Sequence, residues 1–417
     1  MRIKSLVLII LFLVQSFCVF AQGNLSDKNK KKNSSLIKDR SFEIGVMFLN
    51  ANLANNFLSV PDILKDVIII DLDKLADGFK FNLGISAAPI YFKFRAEEGW
   101  GLGLSTDINA IGVLNISGNM LSFSEAIKDN SDVGGAVFTS AALNSFFDAE
   151  GFKIKISPSV FYTLAYIAPP KNMPSSIVYT LDYSNGTEIC IDYAARVYTG
   201  YSLEDNKISL TSNPGLDFTV GLEYPLAKGI GLTDAAPFLD FDIGLDLINI
   251  PFIPSTMKDY KKVKGRVGKD EPIKLFNKDD DDEDDDGGLL SSDEIVSEKK
   301  IIQVSRPFKM ILRADWRPFN GKKFLTITPV IGFYYNDLYY KPFSLETGLN
   351  ACLNFGDLFL IKTGFNYTDR LFINNIGLTL NFRAFELDIG ADFRAHKISQ
   401  IWKGTGLGVN FGLKFGW

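Results

Sequence analysis

Large apolar residues alternate with small or polar ones along most of this chain, and the final run is the most regular. Leu407, Val409, Phe411, Leu413, Phe415 and Trp417 take every second position, with Gly408, Asn410, Gly412, Lys414 and Gly416 between them. A period of two belongs to a β-strand whose faces meet different surroundings. The pattern recurs with its charges confined to one face. Phe385, Leu387, Ile389, Ala391 and Phe393 oppose Glu386, Asp388, Gly390, Asp392 and Arg394, while Leu239, Phe241, Ile243, Leu245 and Leu247 oppose Asp240, Asp242, Gly244 and Asp246. Residues 189–197, 216–224, 308–316, 325–335, 343–355, 359–367 and 376–382 follow suit. Asn185-Gly186, Asn320-Gly321 and Gly356-Asp357 are tight hairpin signals between such runs.

Apolar-out, polar-in strands joined by turns predict an all-β fold, a transmembrane antiparallel β-barrel. Counting back from the C-terminus gives about fourteen strands, the first near residues 79–93. Residues 41–49 also alternate, through Phe42, Ile44, Val46 and Phe48, but they make the total odd. Either they belong to an N-terminal hatch, or a missed partner within 134–148 brings the count to sixteen. Pro61, Ile63, Leu64, Val67, Ile68, Leu72 and Leu75 show helical spacing, as do residues 121–127. The expected division is therefore a hatch with short helices over 22–78, a barrel over 79–417, a periplasmic or plug insertion at 110–150 and a long charged outer loop at 250–300.

The N-terminus supplies an address. Arg2 and Lys4 precede an apolar stretch, residues 6–14, and Ala21 suits a signal-peptidase cut, so residues 1–21 read as a cleaved signal peptide. A lipoprotein anchor at Cys18 is disfavoured by the bulk of Phe17. Losing Arg2 and Lys4 moves the formal net charge from −5 to −7, with no basic footprint for nucleic acid. After the signal no apolar run reaches the roughly 18 residues of a spanning helix. Yet 46% of residues are hydrophobic and 35 are glycine, which suits the barrel as the other backbone-satisfying way to cross lipid.

Asn410, Gly412, Phe415 and Trp417 resemble the C-terminal insertion signal of bacterial outer-membrane barrels. That resemblance implies outer-membrane lipid and the barrel-assembly machinery as partners, and a multi-pass outer-membrane location. With both termini in the periplasm, the three hairpin turns named above fall on the periplasmic side and the 250–300 loop outside. A hatch followed by about fourteen strands also resembles the long-chain fatty-acid transporter family, although that family's Asn-Pro-Ala element is missing from 22–78. The likeness implies uptake of hydrophobic molecules through a plugged barrel with a lateral opening. The expected function is a channel or transporter for small solutes, hydrophobic ones included. The alternative is a surface adhesin or structural protein acting through the 250–300 loop.

The polar faces nominate lumen-lining residues of both signs: Asp240, Asp242, Asp246, Lys309, Arg313, Glu386, Asp388, Asp392 and Arg394. They would set ion selectivity in an open pore, or hold a plug by ion pairs. Asp282, Asp284, Asp286 and Asp293, with Gly287, match an EF-hand-like calcium loop inside a run of acids, which sets specific calcium binding against diffuse cation attraction. No other cofactor is expected. One histidine, His396, with Asp392 four residues before it, is a thin basis for catalysis, so no enzyme is expected. Cys190 and Cys352 are expected on lumen faces near the periplasmic end, too many strands apart to bridge.

Overall fold

The computed structural model describes residues 41–57, 59, 78–96, 99–116, 132–149, 152–168, 177–182, 188–204, 207–232, 236–258, 260–267, 291–298, 301–319, 324–339, 341–382 and 384–416. In chain order the strands begin β1 (Phe42–Asn55), β2 (Phe79–Arg95), β3 (Trp100–Ile116), β4 (Asp132–Ala149), β5 (Phe152–Ala168), β6 (Ile177–Asp182) and β7 (Glu188–Thr199). Next come β8 (Tyr201–Glu204), β9 (Lys207–Leu210), β10 (Gly215–Tyr224), β11 (Asp240–Ile253), β12 (Ser255–Met257), β13 (Tyr260–Val267), β14 (Ser291–Glu298) and β15 (Ile302–Val304). The last are β16 (Phe308–Arg317), β17 (Leu325–Tyr335), β18 (Phe343–Phe355), β19 (Phe359–Thr368), β20 (Leu371–Asn381), β21 (Phe385–Ala395) and β22 (Gly406–Gly416).

Fourteen of these close a ring. β1 to β5 pair in succession, β5 pairs with β10, β10 with β11, β11 with β16, and β16 to β22 again pair in succession. β22 then pairs with β1 from Glu43↔Gly416 to Ala54↔Gly406, so no barrel edge is left open. Every pairing is antiparallel, as the alternation requires.

The expected count of about fourteen holds, but its membership is corrected. Residues 42–55, assigned to the hatch, are barrel strand β1, hydrogen-bonded on both sides. A bulge between Gly45 and Met47 explains the misreading: Ile44 and Met47 face outward with Val46 exposed between them, whereas Phe48 points inward, so the apparent alternation crosses a change of face. Residues 132–149, assigned to an insertion, are barrel strand β4. The segment at 189–197 leaves the barrel instead. As β7 it touches β5 only over 165–168 and carries a sheet ordered β6–β7–β13–β14 beyond the barrel.

Sidedness follows from the ring. Phe42 and Gly416 mark the terminal end, where the β2–β3, β16–β17 and β18–β19 connections also lie. The β1–β2, β3–β4, β17–β18 and 254–307 connections lie at the far end. The 110–150 segment therefore connects at the far end, and the Asn185-Gly186 turn joins β6 to β7 in the far-end extension, both contrary to expectation. The helical stretches expected at 61–75 and 121–127 lie outside the described residues.

The outer face is apolar for the whole strand length. Val46, Ile90, Leu143, Leu349, Ile376 and Val409 are all more than half exposed. At the terminal end almost every strand shows an exposed aromatic, among them Phe94, Trp100, Phe147, Phe152, Tyr224, Trp316, Phe355, Phe359 and Phe415. Phe252, Phe343 and Trp402 mark the far end. Phe343 and Phe355 bound one strand; at about 3.3 Å per residue and a tilt near 40°, they stand about 30 Å apart along the axis. An apolar belt of that height between aromatic girdles is the surface of a barrel standing in lipid, since a soluble protein does not expose so continuous an apolar surface.

Candidate functional site in the barrel lumen

All nine nominated lumen residues lie on inward-facing positions. In the terminal half they are interlocked. Arg313 Nη1 is 2.8 Å from Asp246 Oδ2 and its Nη2 3.1 Å from Glu223 Oε2, and Glu223 also holds Lys153. Arg317 bridges Asp240, at 3.1 Å, and Asp242. On the opposite wall Lys414 lies 2.6 Å from Glu386, and Lys362 lies 3.3 Å from Asp388. Toward the far end Lys309 meets Glu346 at 3.1 Å and Arg394 pairs with Asp392. Each of these carboxylates meets a cation across or along the wall, so the charges tie neighbouring strands together.

The far end of the lumen is filled, and by segments the sequence reading did not nominate. The connection from β11 to β16 turns inward at both roots, where β12 and β15 pair as a short ladder. Met257 and Val304 on that ladder are fully buried against Phe138 of β4 and Phe161 of β5, which face the lumen. Ser255 fixes one root, donating to Asn213 O at 2.8 Å and accepting from the Thr163 N–H at 3.3 Å. Arg306 fixes the other. Its guanidinium grips Asp217 of β10 through Nε (2.7 Å) and Nη2 (2.6 Å), donates to Ser140 (2.8 Å) and Ser159, and lies 5.3 Å from the Phe161 ring centroid.

The β17–β18 connection does more. β2 stands second in the closed ring and β17 and β18 ninth and tenth, so they face each other across the lumen. Leu338, 1% exposed, nonetheless reaches β4, its backbone so close to Gly134 that a Cβ there would come within 2.8 Å of Leu338 O. The Tyr339 hydroxyl accepts from Asn82 Nδ2 of β2 at 2.9 Å, and the Arg370 guanidinium stacks 4.1 Å over the Tyr339 ring. Asn336, fully buried, caps the turn by accepting from the Leu338 N–H at 3.1 Å. One loop thus crosses the barrel. A third segment, residues 396–405, meets it where His396 Nε2 lies 2.9 Å from Asn82 Oδ1.

His396 is bonded to Asn82, while Asp392 is engaged by Arg394, so the acid–histidine pairing considered from spacing is not formed. Burial holds the imidazole down at about 4, with Lys80 adding to the effect. Burial likewise pushes the fully enclosed Asp369 carboxyl, at the β19–β20 turn, up to about 6 against the pull of Lys309. The two groups act on the mouth in opposite senses. The raised carboxyl stabilises it at low pH and loses that contribution as the pH rises through about 6, whereas the depressed histidine stabilises it above about 6.5 and loses that contribution as the pH falls through about 4. In Asp369→Asn the histidine's dependence remains without the opposing carboxyl beside it. Amide exchange of residues 396–405 in that variant should quicken as the pH is lowered from about 7 to about 4.5, once intrinsic exchange is divided out; flat protection would remove His396 as the titrating group.

Of the remaining nominated positions, Asn410 and Gly412 face the lumen on β22 and Phe415 faces outward, while Trp417 lies outside the described residues. Asp282, Asp284 and Asp286 also lie outside them, and Asp293 falls on β14, so the calcium loop has no described counterpart. Cys352 is a half-buried free thiol on β18, facing the lumen as expected. Cys190, expected on the barrel wall, lies on β7 in the extension. The crossing loop did carry a signal: Leu338 and Tyr339 are large, mainly apolar residues between two strand-like runs. Arg306, a single cation between short strands, carried none.

No family model matches the chain, and no curated protein matches it. Among solved structures it is similar to the P. putida toluene transporter TodX, at 9% identity and a TM-score of 0.46 over 90% of this chain and 89% of that one. The Ralstonia pickettii toluene transporter TbuX gives 10%, 0.43, 90% and 89%, and Salmonella typhi OmpF in complex with daunomycin 8%, 0.26, 92% and 100%. The barrel assignment rests on the chain's own ladders.

Proposed function

We propose that the protein is an outer-membrane channel for small solutes whose far-end mouth is closed by its own in-folded loops. The crossing loop carries this reading. A purely structural barrel has no need of a segment that spans the lumen and is held on the opposite wall through the Asn82–Tyr339 hydrogen bond and the packing of Leu338 against β4. The lipid-facing belt and the outer-membrane-like last strand support the location, and the buried Arg306 cluster supports a mouth that is built rather than collapsed. The test is conductance of the refolded, heat-modifiable full chain in a planar bilayer. The expected record is a closed baseline with brief openings. Steady ohmic steps would overturn the closed mouth, and a folded barrel that stays silent after its crossing loop is loosened would overturn the channel.

A surface-binding role has one observation in its favour, the four-stranded β6–β7–β13–β14 sheet standing beyond the barrel with two unpaired edges among the described strands. Excision of residues 259–300 separates the readings, because a channel keeps its permeability and an adhesin loses its partner.

A further inference from the structure

On the arc of wall formed by β18 to β22, β1 and β2, carboxamides and glycines line the inward surface above a layer of paired charges. Asn350, Asn366, Asn375, Asn410, Asn50 and Asn52 all face the lumen and are all half-buried. Their neighbours across the ladder are glycines. Asn366 lies over Gly348, Asn350 over Gly364, Asn410 over Gly390 and Asn52 over Gly84, each amide occupying the space a Cβ would fill. A side chain laid flat on glycine keeps the lumen wide while presenting its polar edge to it.

The amides are only partly satisfied by one another. Asn52 donates to Asn50 at 2.8 Å and Asn366 to Asn350 at 3.0 Å. Whichever way the amides are turned, each pair uses one N–H and one oxygen lone pair, leaving donors and acceptors side by side toward the lumen. Of the large apolar side chains facing inward on the same arc, Phe48, Tyr91, Leu371 and Ile373 are at most 7% exposed and Leu360, toward the terminal end, is half-buried, so an apolar solute finds little purchase at the height of the amides. The charges below them, Lys414, Glu386, Lys362 and Asp388, are mutually paired and favour neither sign.

Building on the channel reading, we infer that this arc is a binding track for neutral, hydroxyl-rich solutes of the saccharide class, which need donors and acceptors together and no net charge. The test uses proteoliposomes of the full chain carrying Leu338→Gly and Tyr339→Gly, whose ion conductance reports the channel independently, with glucose and gluconate as probes. Glucose should enter faster than gluconate. Adding Asn350→Ala and Asn366→Ala enlarges the lumen, so a merely steric pore would pass glucose faster; the track requires glucose entry to fall roughly threefold to tenfold with ion conductance unchanged or raised. Conductance without a glucose preference, or faster glucose entry in the alanine variant, overturns the track alone. No conductance from a folded barrel overturns the channel, and the track with it.

Discussion

Replacing Leu338 and Tyr339 with glycine should turn a closed barrel into a conducting one. Leu338 is 1% exposed in the cluster with Phe138, Phe161, Met257 and Val304, and truncating such a leucine removes about 2–5 kcal/mol of packing. Loss of Tyr339 removes its hydrogen bond from Asn82 and the Arg370 stack, each about 1 kcal/mol. Glycine also widens the undocked ensemble. A shift of several kcal/mol is enough to move the loop from mostly docked to mostly undocked. The barrel should survive, because the fourteen-strand ladder includes neither residue. Single-channel recording reads the result. If the variant is heat-modifiable and folded yet conducts no more than brief parent-like openings, this loop is not the barrier, and if it conducts nothing at all the channel reading falls.

The second large effect is expected at Arg306. Its removal leaves Asp217, 2% exposed, buried with the Ser159 hydroxyl as its one remaining side-chain hydrogen-bond partner among the described residues. Breaking one partner out of a buried pair costs about 3–5 kcal/mol, mostly the penalty of the abandoned charge. Arg306→Leu should therefore release the 301–307 root, making it open to limited proteolysis in folded protein, while Arg306→Leu with Asp217→Asn should recover much of the protection. Equal protection in the single variant and the parent would show that Met257 and Val304 hold the segment without the arginine.

Much of this architecture was written in the alternation, and the exceptions have local causes. The charges of β11, β16 and β21 fall on one face of each strand, and a period of two leaves them only the inward face once their neighbours meet lipid. β4 enters the sequence reading only as the alternative partner strand within 134–148, because its inward positions hold Gly134, Ala136, Ser140 and Ala142, small residues that make room for Leu338 and the β12–β15 ladder and so blur the alternation. β7 alternates well, but periodicity says nothing about partners, and its partners are β6 and β13 in the extension. Helical spacing points to a plug from 22–78 and 110–150, whereas the described far-end filling comes from 254–258, 301–307 and 336–339, side chains contributed by loops whose inward turn depends on long-range contacts that no local pattern encodes.

The pairing of β1 with β22 has a consequence for how the molecule comes into being. Glu43 and Gly416 are the outermost partners of that seam and lie almost a full chain length apart, so the seam is the contact of greatest sequence separation and forms late. Until the last strand has been delivered, the growing sheet carries two raw edges, β1 on one side and the newest hairpin on the other, each able to recruit a neighbouring molecule. The segment that ends this exposure is the one bearing Asn410, Gly412 and Phe415. A truncation that removes only those final residues should thus be more harmful to biogenesis than its small share of the ladder suggests, because it takes away the clasp rather than a stave.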